Sequence, residues 1–148
     1  MKVSNNLTLK ECIKSDTAIQ LGIDNTPPEE ILVNIRCWAN AIFQPIRDYF
    51  GVPIGLNSMY RSPALNAAIG GAKGSQHSKG EAGDLDADTY GKITNSEIFE
   101  FVRDNLEFDQ MIIYNSKDNP DFVHVSYTRL RENRFEILFK DKLGYHKL

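Results

Sequence analysis

A chain of 148 residues that is 41% apolar and 25% charged can bury one continuous core, and a single domain over residues 1–148 is expected. Seventeen basic against twenty acidic residues leave a net charge of −3, which excludes a general phosphate-backbone or anionic-surface binder held by bulk charge, so no nucleic-acid partner is expected. No apolar stretch has the length of a membrane span, and Met1-Lys2-Val3-Ser4-Asn5-Asn6 lacks the apolar run of a secretory signal; the chain is therefore expected to stay in the cytoplasm where it is made.

The first predicted element is a helix with Thr8 as cap and Glu11 returning the bond, Leu7 and Cys12 stapling its start, and its end at Leu21-Gly22. The next begins at Thr26-Pro27-Pro28-Glu29, with Thr26 as cap, Pro27 in the first turn and Glu29 closing a second capping box. Ile31, Ile35, Trp38, Ile42 and Ile46 then recur at helical spacing as a buried face, which Pro45 is expected to kink or break. Cys12 and Cys37 fall within these apolar-periodic segments, without the close pairing of a zinc knuckle or redox motif, and read as buried free thiols.

Beyond Gly51-Val52-Pro53, the alternation Ile54, Leu56, Ser58, Tyr60 predicts a strand ending at Arg61-Ser62-Pro63, where Ser62 and Pro63 open a short helix through Ile69. Gly70-Gly71 ends it, and a small, polar, glycine-rich loop follows over 72–83. Thr94 and Glu97 form a third capping box, leading a helix with Ile98, Phe101, Val102 and Leu106 on one face. Three strands are predicted over 110–114, 122–127 and 135–139. Helices early and strands late, with no regular alternation and no internal repeat, indicate an α+β fold whose early helices pack on a mainly antiparallel sheet.

Chemistry concentrates in Ser75-Gln76-His77-Ser78-Lys79-Gly80-Glu81-Ala82-Gly83-Asp84-Leu85-Asp86. Six residues, two of them glycine, separate His77 from Asp84, so the loop can fold back and bring imidazole and carboxylate to one point. Asp84, Asp86 and Asp88 are expected to share one face of a short strand. By itself this pattern describes a solvated acidic edge as well as a metal site. In Asp121-Phe122-Val123-His124-Val125-Ser126-Tyr127, one face enters the core while the other presents His124. His77, Asp84 and His124 make a three-ligand set for one zinc ion, leaving a fourth position for water and hence hydrolysis. Asp121, three residues before His124, would face away in a regular strand. Asn119-Pro120 permits an irregular entrance from which Asp121 reaches the water as general base.

The order S-x-H-x-x-G-x-A-x-D at Ser75, His77, Gly80, Ala82 and Asp84, followed by an acidic residue three before a strand histidine, resembles the zinc D-alanyl-D-alanine carboxypeptidase family of peptidoglycan peptidases. Tyr60-Arg61-Ser62-Pro63, Leu65-Asn66 and Gly70-Gly71 are similar to that family's substrate-binding segment, and the likeness runs from Leu7 to Tyr127. The family belongs to a wider group with lysostaphin-type peptidases and the hedgehog amino-terminal domain. The resemblance implies that His77, Asp84 and His124 are zinc ligands and Asp121 the catalytic base. It implies that Arg61 supplies positive charge to the substrate or the developing oxyanion, and that Ser75 hydrogen-bonds near the substrate carbonyl or carboxylate. Gln76 is a further candidate pocket residue. The plainer alternatives are a surface salt bridge for Arg61 and a turn or cap hydroxyl for Ser75.

Met59 stands where the family often has Gly, Gly83 where Ala is frequent, and Phe122 where Trp is common; none removes a ligand. Lys79 and Glu81 are expected to face solvent, and His146 to be an exposed histidine without a site. The implied substrate is a peptidoglycan peptide stem or muropeptide, cut by a carboxypeptidase or related endopeptidase acting as a monomer. A phage lysis enzyme reaching the wall through a membrane lesion fits the same reading. The competing class is a non-catalytic zinc-containing cell-wall-binding module, or a structural metal domain closed by a fourth ligand such as Asp86.

Overall fold

The computed structural model describes residues 1–148. After a small antiparallel pair, β1 (Lys2–Ser4) and β2 (Leu7–Thr8), the Thr8–Glu11 capping box opens a helix as expected. The single predicted helix is two: α1 (Leu9–Ile13) and α2 (Asp16–Leu21). Ser15 separates them because it is extended (φ −158°, ψ 118°) and its side chain accepts from the Ala18 amide, starting a new helix in mid-segment.

Helix α3 (Glu29–Trp38) starts after Pro28 with no side-chain cap, so the predicted Thr26–Glu29 box does not form. Pro28 disfavours helical geometry at Pro27, which delays the start past both prolines. Nor does Pro45 break the rod. A widened π turn, Ala39–Phe43, runs directly into α4 (Gln44–Phe50), which carries Pro45 at its beginning and ends at Gly51 with φ +65°. The wide turn accommodates a ring and a missing amide that a regular turn would resist.

The sheet has the order β3 (Gly55–Ser58), β4 (Ala82–Asp86), β6 (Val123–Ser126), β5 (Gln110–Tyr114), β7 (Glu136–Asp141), β8 (Gly144–Lys147). All pairs are antiparallel except β5 with β7, giving the expected α+β architecture. Strand β8 was not predicted: it is an edge strand whose residues are mostly exposed, so it lacks apolar alternation. Helix α5 (Pro63–Ala68) is capped by Ser62, and α6 (Asn95–Asn105) by the Thr94–Glu97 box.

One face of the sheet is core. Gly83 and Leu85, Val123 and Val125, and Met111 and Ile113 point toward the α3–α4 rod, where Ile35, Trp38, Ile42 and Ile46 are fully buried. Each such large side chain contributes roughly 1.5–3 kcal/mol by leaving water. Trp38 Nε1 donates to the Val125 carbonyl at 2.9 Å, and its ring lies against Gly83, where a Cβ would sit 2.3 Å from Cζ2. The departure to glycine at 83 is thus steric.

The opposite face carries the chemistry. In register across the sheet stand Ser58, Asp84, His124 and Ile112. Asp88 leaves this face because the strand stops at Asp86, whose carboxylate accepts the Asp88 amide and caps a short 3-10 turn, Ala87–Thr89. Cys12 is buried as expected, its thiol pushed up to about 12 by burial and then by Glu11, whereas Cys37 is only partly buried. Glu81 is buried rather than solvent-facing. His146 is exposed and bonded to Asp141 at 2.9 Å.

Candidate metal centre

The loop entering β4 is built by its small residues. Ser75 caps a 3-10 turn, Gln76–Lys79, its hydroxyl accepting from the His77 amide at 3.2 Å. Gly80 then reverses the chain at φ +68°, where a Cβ would stand 2.9 Å from Ile31 and Ile35. Asn34 donates to the Lys79 carbonyl at 2.9 Å, tying the turn to α3. Ala82 is fully buried, so Asp84 emerges on the open face directly opposite His124 in the β4–β6 register. His77 from the turn completes the cluster.

The three donor atoms lie within 4.8 Å of one another. His77 Nδ1 is 2.6 Å from the Met59 carbonyl oxygen. A carbonyl only accepts, so Nδ1 carries the proton and Nε2 turns a lone pair toward Asp84 Oδ1, 3.4 Å away. His124 Nδ1 approaches the same oxygen at 3.0 Å. With Nδ1 committed to the backbone, the Nε2 lone pair of His77 and the carboxylate oxygen facing it can share a cation, and an imidazole fixed by a backbone carbonyl is the usual support of a metal ligand. Burial pushes the Asp84 carboxyl up, but the two imidazoles beside it outweigh that and hold the group well below the usual carboxylate range. Burial lowers His124, against the pull of Asp84, keeping its imidazole neutral and able to ligate near pH 7. Two imidazoles and a carboxylate fit a divalent ion of the zinc type, with coordination positions left open.

These residues line an open cleft of about 550 Å³ together with Arg61, Ser75 and Gln76. Arg61 makes no ion pair within 4.0 Å, which removes the salt-bridge alternative, and its buried Nε has no hydrogen-bond partner. Ser75 is both cap and cleft wall. Gln76 donates to Asp109 at 3.1 Å. Lys79 lines the cleft as well, whereas Leu65, Asn66, Gly70 and Gly71 do not. Asn66 instead donates to the Ala72 carbonyl at 2.9 Å and shapes the loop from behind.

Asp121 is exposed and outside the cleft lining, its carboxylate accepting from the Asn115 amide and its backbone amide bonded to the Tyr114 carbonyl at 3.1 Å. Tyr114 does line the cleft, and Phe122 stacks on it with centroids 4.2 Å apart. Asp86 does not complete the site: Asn57, Asn95 and the Asp88 amide occupy its carboxylate. Sequence reasoning missed Tyr114, Gln110, Arg131, Arg134 and Tyr145 on the cleft wall. Period-2 alternation in β5 would have placed Gln110 and Tyr114 on the face opposite the core. No local pattern marks the two arginines, which reach the cleft from an irregular loop.

The Peptidase M15 family model, that of the zinc D-Ala-D-Ala carboxypeptidase-like peptidases, matches residues 5–126. A search of curated proteins finds no match. No helix is long and apolar enough to cross a membrane.

Proposed function

The chain belongs to the Peptidase M15 family, whose members are zinc-dependent metallopeptidases, and from that premise we propose that it hydrolyses the peptide stems of bacterial peptidoglycan, as a D-alanyl-D-alanine carboxypeptidase or a related endopeptidase. The observation that carries this reading is the convergence of His77 Nε2, Asp84 Oδ1 and His124 Nδ1 on a cleft that also holds an arginine without a carboxylate partner. His77, Asp84 and His124 would hold one zinc ion. When bound, zinc supplies Lewis acidity to the scissile carbonyl and brings the pKa of water down to about 7.

The chain's own groups do the rest. Asp84 is the only carboxylate on the cleft lining and is committed between two imidazoles, so a proton acceptor must come from beyond it. Asp121 is the base in this reading: it stands free of any cation within 4.0 Å, its backbone is bonded to that of the cleft residue Tyr114, and its side chain would have to give up the bond to Asn115 to meet the reacting water. It takes the proton during attack and returns it to the leaving amine. Arg61, which lines the cleft and makes no ion pair within 4.0 Å, holds the negative charge of the carbonyl oxygen or of a terminal carboxylate. Ser75 contributes a hydroxyl at the same wall, and Gln76 shapes it. A phage lysis enzyme and a cellular wall enzyme both suit this site.

The rival reading, a zinc-containing wall-binding module without activity, is disfavoured by the commitment of Asp86 elsewhere, which leaves three protein ligands rather than a closed four. Digestion of purified peptidoglycan by the zinc-loaded protein, with mass spectrometry of the new termini, tests the proposal. New amino or carboxyl termini within the stems are expected. Binding to the wall without any new terminus supports the module instead.

A further inference from the structure

The cleft has a second polar wall that the metal chemistry does not use. Asp109, with no exposed side-chain surface, sits at the entrance to β5. Arg131 grips it with Nη1 at 2.7 Å and Nη2 at 2.9 Å; Arg134 adds Nη2 at 2.9 Å, Nε at 3.1 Å and its backbone amide at 3.0 Å. Gln76, next to the ligand His77, donates to the same carboxylate.

One guanidinium fork would satisfy a carboxylate and tie the loop down. Two leave a positive charge in excess, with unspent N–H donors on both forks. Arg131 gives one further bond, to the Glu132 carbonyl at 3.1 Å, and Arg134 Nη1 approaches Glu136 only at 3.9 Å. Glu136 is not part of the cleft lining and accepts a bond from Gln110, and the buried Glu81 acts on Arg131 only through its field. Both arginine side chains are 50% exposed and both line the metal cleft. With Arg61, Lys73 and Lys79 they make that lining strongly cationic, against the single carboxylate of Asp84, in a chain whose net charge is −3. The pair also lies beyond residue 126, where the family match stops.

We propose that Arg131 and Arg134, held side by side on Asp109, form a second carboxylate-binding wall of the cleft, so that the preferred substrate is a peptide bearing a carboxylate there in addition to any group met by Arg61. This deepens the reading of the cleft as a peptide site and rests on it. Arginine suits the task because its planar fork matches a carboxylate and Asp109 has already fixed its orientation.

The experiment measures binding rather than turnover. Acetylated tripeptides, with glutamate or its glutamine counterpart at one position at a time in L and D forms, are titrated calorimetrically into the zinc-loaded protein. At one position the glutamate peptide is expected to bind roughly tenfold more tightly, the size of one charge-assisted contact, and the ratio to shrink as salt is raised. In Arg131→Gln with Arg134→Gln the ratio falls to near one. Arg134→Lys, which keeps the charge on Asp109 and loses the fork, lowers it partway and guards against a folding failure of the double variant. Equal binding of every glutamate and glutamine pair by the unaltered protein, or a preference that survives the double variant, overturns the inference. Carboxylate-selective binding with no hydrolysis of any peptide or of peptidoglycan leaves this wall standing and overturns the peptidase reading. Hydrolysis without selectivity does the reverse.

Discussion

Asp84, which lines the cleft, and Asp109, buried behind the two arginines that line it, are each a carboxylate between two basic side chains, and their partners separate their roles. Asp84 faces imidazoles, whose ring nitrogens can present lone pairs, so the cluster is suited to a cation. Asp109 faces guanidiniums, which never deprotonate and have no lone pair, so the cluster has no place for a metal and presents positive charge instead. Backbone packing enforces the same division. Asp84 is delivered by strand register opposite His124, whereas Asp109 draws its partners from the irregular loop after β6. The same carboxylate becomes a metal ligand or an arginine clamp according to what the chain brings to it.

The largest expected effects fall on the imidazole cluster. His77→Ala or His124→Ala should lose zinc and activity together, to background, while Asp109→Asn should keep its zinc; elemental analysis of the three proteins checks both. Zinc loss in Asp109→Asn would break the separation of the two clusters. Asp121→Asn should retain zinc and lose roughly 10²–10⁴ in rate on muropeptides, since the amide keeps the shape and cannot take the proton. Full activity would pass the base to another group.

The guanidinium cluster is expected to act on stability. Asp109→Ala leaves two arginines without their buried partner and should cost about 3 kcal/mol, roughly 10 °C in melting temperature. Burial raises the Asp109 carboxyl, but the hydrogen bonds from Arg131 and Arg134 prevail and hold it well below its ordinary value. A carboxyl lowered on folding stabilises fully above its unfolded pKa, about 3.9, and loses that contribution as pH falls below it. The stability gap between the native protein and Asp109→Ala should therefore narrow below about pH 4 in denaturant titrations at successive pH values. Gly83→Ala, on the strand that carries Asp84, forces a methyl against the Trp38 ring and should cost about 1–3 kcal/mol in the same titrations.

The two clusters also differ in how far the sequence disclosed them. Glycine spacing, alternation in β6 and a resemblance to known peptidases pointed to His77, Asp84 and His124 because strand parity and loop closure are local properties. The capping boxes at Thr8 and Thr94 are local too, and both are present. Where local rules competed, the reading failed: Pro28 overrode the Thr26 cap, and a π turn absorbed Pro45. Asp109 with Arg131 and Arg134 depends on a loop crossing back to β5, a long-range placement that no periodicity encodes. Asp121 was legible as a residue, and its side-chain bond to Asn115 was not.

The peptidase reading stands on zinc held by the imidazoles of His77 and His124 and the carboxylate of Asp84. Its most direct test is the metal content of the protein after zinc loading and exhaustive dialysis, measured beside Asp84→Ala. About one zinc per chain in the native protein and none in the variant is the result expected. A native protein that retains no zinc, or an Asp84→Ala protein that retains as much, would contradict the account.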